Sequence, residues 1–184
     1  MVEHPFIYEI NTWVWLDELR ARLGRTIGLA GVPAREWDAI AALGFDAVWL
    51  MGVWERSPAG TAVALQNDAL MQGFRDALPD VTSGDIVGSP YCIRDYTVAR
   101  HLGGPKGLES ARKALARRGL GLILDFVPNH VAPDHVWTET HPEYFVQGGD
   151  EDLEREPASF VRVGDHVLAN GRDPFFPPGP TSCS

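Results

Sequence analysis

The sequence has little cysteine, no long apolar run and no surplus of positive charge, and each lack removes a class of protein. Cys92 and Cys183 are the only cysteines in 184 residues. Two are too few for a small fold stapled by disulfides, and the spacing does not say whether they pair. No stretch approaches the roughly 20 apolar residues that a bilayer span needs. The start, MVEHPFIYEI, has no basic segment followed by an apolar one, so no secretory leader is read there. A formal net charge of −9 disfavours nucleic acid and anionic membrane as partners, because both need clustered cations. The basic run ARKALARR lies in a segment of helical period, where it reads as a solvated face. A phosphate loop is missing too, since GRTIGLAG and GGPKG both fail the pattern G-x-x-x-x-G-K-[ST]. What remains is a globular chain, expected in the cytoplasm, whose apolar fraction of 45% suffices for a core.

What is present is a repeated alternation. FIYEINTWVWL is rich in β-branched and aromatic residues and predicts a first strand near Phe6 to Asn11. Pro33 opens a helix in which Trp37, Ile40 and Ala41 share a face, and Gly44 closes it. FDAVWLMGVW predicts a second strand, apolar nearly throughout, as when both faces are covered. After Pro105, the residues Leu108, Ala111 and Leu115 mark a second helix that Gly119 stops. LGLILDFV is the third strand. This order predicts a parallel sheet with right-handed crossovers. The connection after Trp54 is far longer than the usual 2–6 residues or so, and it contains one helix-like piece, AVALQNDALMQGFRDAL. It leaves the carboxyl end of a strand, where parallel α/β sheets place ligand sites. Beyond His130 the pattern decays, apart from a hairpin, SFVRVGDHVLA, turning at Gly164-Asp165.

GLILDFVPNH poses the chemical question, because a core strand finishes on Asp125 and is followed at once by Asn129 and His130. A metal hydrolase would use His130, Asp134, His135 and His141, but their spacing fits no helix-borne metal motif. A sugar site accounts for more. Asp125, Asn129 and His130 leave strand three; Tyr91, Arg94, Asp95 and Tyr96 come late in the long connection; Glu9 and Asn11 end strand one. Carboxylate, amide and imidazole suit hydroxyls, and aromatic rings suit the apolar faces of a sugar ring.

These residues carry a resemblance. DFVPNH resembles the first signature region, D-x-x-x-N-H, of the alpha-amylase family, glycoside hydrolase family thirteen. YCIRDY is similar to that family's Tyr-x-x-x-Asp-Tyr segment, and FIYEI to its first strand. The resemblance implies the amino-terminal portion of a (β/α)₈ TIM barrel, an α/β fold incomplete here, with three parallel strands and crossover helices. It implies that Tyr91 stacks on the sugar beside the scissile bond and that His130 hydrogen-bonds that sugar. Asp125 then orders the site, with Asp95 as a further substrate-binding residue. In many relatives the Asn at the position of Asn129 helps bind a structural calcium ion; no other cofactor is implied. The implied substrate is an α-glucan, a maltooligosaccharide or a disaccharide.

The departure from the family matters as much. Retaining glycosidases need two carboxylates about 5–5.5 Å apart, and in this family they come from strands after the third. The expected division is therefore residues 1–130 as the first βαβαβ part of the barrel, 131–178 as the connection after strand three, and 179–184 as a tail. The chain is expected to be the amino-terminal piece of an amylase-family hydrolase or transglycosidase, inactive alone; the alternative is a non-enzymatic sugar-binding remnant. Up to GRDPFFPP the chain resembles a subset of the family that continues with a string close to Trp-Pro-Asp-Val-Leu-Gln-Leu-Asn. Written in GC-rich codons and read after loss of its first T, that continuation spells Gly179 to Ser184 and then a stop. A one-nucleotide loss after the Pro178 codon is the expectation, leaving a disordered tail in which Cys183 has no selected role. Resequencing the locus tests it.

Overall fold

A computed structural model describes residues 3–170; Cys183 and the expected tail lie outside the described residues. In chain order the helices and strands are β1 (Ile7–Asn11), α1 (Thr12–Leu23), α2 (Ala34–Ala41), β2 (Ala47–Met51), β3 (Trp54–Arg56), α3 (Pro58–Gln66), α4 (Asp68–Ala77), β4 (Ile93–Val98), α5 (Gly104–Ala116), β5 (Gly121–Ile123), α6 (Val136–Thr140), β6 (Gln147–Gly148), α7 (Asp150–Arg155), β7 (Phe160–Val163) and β8 (His166–Ala169). The described residues form two compact units, one from 3–55 and 96–126, the other from 56–95 and 127–170.

The first unit is built on the parallel sheet β1-β2-β5. Ile7 pairs with Ala47 and Asn11 with Met51, while Ala47, Val48 and Trp49 pair with Gly121, Leu122 and Ile123. Side chains alternate across a strand. One face therefore sends Ile10, Val48 and Leu50 into a core with Leu16 and Leu19 of α1, Trp37 and Ile40 of α2, and Ala111 and Leu115 of α5. The opposite face carries Ile7, Glu9 and Trp49, and Ile7 there is 45% exposed. Three parallel strands with crossover helices are the architecture expected. One local expectation is corrected. The third strand is only Gly121–Ile123, not the whole of LGLILDFV. Helix α1 follows β1 at once, because Asn11 caps it by accepting from the Val14 N–H at 3.4 Å, and the first strand ends at Asn11 as expected.

In the second unit, the single helix-like piece of the long connection is two helices. Asn67 divides them: its N–H closes α3 on the Ala64 carbonyl, and its side chain caps α4 by accepting from the Leu70 N–H at 2.9 Å. The hairpin stands where it is expected, with β7 antiparallel to β8 around Gly164 at φ 57°, and β6 adds on the other side of β8. The stretch Ile93–Val98, read from sequence as loop, is strand β4, paired with β3. No helix among the described residues is long and apolar enough to cross a membrane.

Candidate functional site

In the first unit, Asp125 follows β5 after one residue and is buried. Its carboxylate accepts from the Trp49 indole N–H at 3.0 Å and from the Gly52 backbone N–H at 2.6 Å. Its own carbonyl accepts from the Trp54 indole at 3.0 Å. Charge-assisted bonds of this kind are among the stronger ones a protein makes, so Asp125 fixes the carboxyl ends of β2 and β5 against each other. Trp54, Tyr96 and Phe126 continue from there as an aromatic row, with ring centroids 5.4 and 6.0 Å apart, and Phe126 is 74% exposed. Sequence reasoning missed Trp49, Gly52 and Trp54 as the partners of Asp125. Their only signal is position, in and just beyond the carboxyl-terminal part of the neighbouring strand β2.

In the second unit, Tyr91 and His130 line one cavity of about 560 Å³. Tyr91 is exposed, as a stacking ring must be, and His130 is half-buried. His130 also lines a second cavity of about 240 Å³, together with Asn129 and Asn170. The Asn129 amide lies 3.4 Å from His130 Nδ1. Asp95, on β4, lines neither cavity; its charge acts on His135 instead.

The groups that a metal hydrolase would use are otherwise engaged. Asp134 accepts from the Ser57 hydroxyl at 2.5 Å and from the Ala59 N–H at 3.3 Å, while Ser57 itself accepts from the Gly60 N–H and caps α3. His135 is buried, and its Nδ1 accepts from the Trp137 N–H at 3.1 Å. Burial pushes its imidazole below the usual range, against the opposing pull of Asp95 and Asp134. His141 pairs with Glu143 at 3.0 Å and stacks on Tyr144. Among the described residues no group of three His, Cys, Asp or Glu is placed to hold a metal ion. Calcium takes about 6–8 oxygen ligands, and beside Asn129 the described residues place no acidic cluster.

The sequence profile of the alpha amylase catalytic domain matches residues 22–160. The chain belongs to the alpha-amylase family. An alpha-amylase from Lactobacillus plantarum superposes with a TM-score of 0.55 at 22% identity, over 90% of this chain and 31% of that one. A family GH13_31 enzyme gives 0.56 at 17% identity, over 93% of this chain and 30% of its own. The alpha-amylase from H. orenii gives 0.52 at 18%, covering 92% and 32%. These likenesses carry the fold, part of a TIM barrel, and this family member spans less than a third of each solved chain. A search of curated proteins returned no significant match.

Proposed function

We propose that this chain supplies the sugar-holding part of an amylase-family glycoside hydrolase or transglycosidase acting on α-glucosidic carbohydrate, and that it does not turn over substrate alone. The observation that carries this is Tyr91 and His130 lining one cavity. The Tyr91 ring offers an aromatic platform to the apolar face of a glucosyl ring. The His130 imidazole, whose Nδ1 faces the Asn129 amide nitrogen, offers its Nε2–H to the hydroxyls. Asp125 acts through Trp49 and Gly52 as a positioning residue. The nucleophile and general acid, which the family resemblance assigns to strands beyond the third, have no counterpart among the roles given to Asp125 and Asp95. The substrate class is an α-glucan, a maltooligosaccharide or a disaccharide, and cytoplasmic location remains part of this reading. Calorimetric titration with maltose tests it. Binding that falls at least tenfold in both Tyr91→Ala and His130→Ala, without release of glucose, supports the reading; binding indifferent to both substitutions sinks it.

A further inference from the structure

The larger cavity is far more apolar than a sugar needs. Its walls are Ala64 of α3, Leu70 and Phe74 of α4, and Leu78, Val81 and Ile86 of the segment that follows. Leu70 and Phe74, four residues apart, form one stripe of α4 that Leu78 continues just past its end. Nothing in α4 is buried, and Leu70 and Leu78 are 37% and 44% exposed. The stripe thus lines the cavity instead of closing into a core. A volume of about 560 Å³ falls within the range of roughly 300–1,000 Å³ typical of small-molecule sites.

Polar groups gather where the candidate sugar residues are. Ser89, Tyr91 and His130 line the cavity with Asp85, and among the described residues no Lys or Arg does. Asp85 is held in its charged form by the Thr82 hydroxyl and N–H, at 2.7 and 2.8 Å. An anionic ligand would meet that carboxylate, and none of the described lining residues is a cation. A second glucosyl unit fits poorly too, because hydroxyls placed against Leu70, Phe74 and Val81 would find no hydrogen-bond partner.

We propose that this cavity takes the apolar aglycone of an α-glucoside, an aryl or medium alkyl group, while Tyr91 and His130 hold the sugar. The proposal rests on the sugar reading above for Tyr91 and His130 and narrows its substrate class, replacing the second sugar by an apolar alcohol or phenol joined to glucose. The full chain titrated with methyl α-glucoside, phenyl α-glucoside and phenol tests both layers. Phenyl α-glucoside should bind at least tenfold tighter than methyl α-glucoside, and Phe74→Ser should remove that advantage and leave methyl α-glucoside unchanged. Should Phe74→Ser not fold, methyl shifts of Leu70, Val81 and Ile86 in the unsubstituted chain, moved by the phenyl and not by the methyl glucoside, give the same answer. Equal affinity for the two glucosides overturns the aglycone site and leaves the sugar reading standing. If phenol binds as tightly as phenyl α-glucoside and Tyr91→Ala changes neither, the cavity is apolar but the sugar reading is lost. A self-association of the chain that excludes phenyl α-glucoside overturns the proposal in favour of a second copy as occupant.

Discussion

Asp125 shows at the residue scale why a core strand runs out into a carboxylate. With both oxygens accepting from N–H groups, removing the side chain orphans the Gly52 and Trp49 donors. Hydrogen bonds to a charged group contribute about 1.5–3 kcal/mol each, and Asp125→Ala is expected to cost roughly 2–4 kcal/mol, read as a fall in the urea midpoint. A loss within about 0.5 kcal/mol, the range of ordinary surface changes, would mean the carboxylate is held for ligand rather than for structure. His135 gives a pH dependence. Its folded-state affinity for a proton is depressed, chiefly by burial, whereas the unfolded chain protonates near pH 6.5. The unfolded state therefore binds more protons as pH falls, so the stability His135 contributes is complete above about pH 6.5 and is lost below it, toward the folded pKa. His135→Asn should flatten the fall in denaturation midpoint between pH 7.5 and 5.5; an unchanged slope would assign it to other groups. Tyr91, Asp125 and His130 could be singled out from sequence because YCIRDY and DFVPNH are each local; their roles toward a sugar belong to the proposal. Asp134 was legible only as a chelator, since its partner Ser57 is 77 residues away.

Among the elements, those set by short-range chemistry were readable and those set by pairing were not. Helices α2 and α5 announce themselves by apolar period and by flanking Pro and Gly. Strand β4 does not, because IRDYTV alternates weakly and becomes a strand by pairing with β3. The short turn Leu29–Gly31 is another case of tertiary contact overriding local signal. A Cβ on Gly28 would lie 2.7 Å from the Leu102 carbonyl oxygen and 2.9 Å from the Gly103 nitrogen, both backbone atoms that cannot swing aside. At φ −106° the conformation itself admits any residue, so the constraint is close approach. Gly28→Ala should destabilise the chain by about 1–3 kcal/mol, as overpacking does. Gly73→Ala, in α4 with open space around it, should stabilise it by roughly 0.5–1 kcal/mol. Thermal denaturation of the two variants side by side checks the contrast, and equal shifts would refute it.

For the whole molecule, the outstanding expectation is binding without turnover. The purified chain should release no nitrophenol from a chromogenic α-glucoside; activity that survives repurification and vanishes in His130→Ala would overturn this. The exposed Phe6, Ile7 and Phe126, at 72%, 45% and 74%, should let the folded chain bind a hydrophobic dye. By itself the sequence determined the class of fold and the family, because period, capping residues and the run DFVPNH are written within a few residues of one another. Only the tertiary structure decided that residues 56–95 join those after 127 in one compact unit, that Tyr91 and His130 share a cavity, and that Asp125 is bonded to Trp49 and Gly52. Those facts rest on contacts between residues some forty to eighty positions apart. A local pattern records that such a side chain is polar or apolar; which distant partner it meets is fixed when the sheet and helices pack.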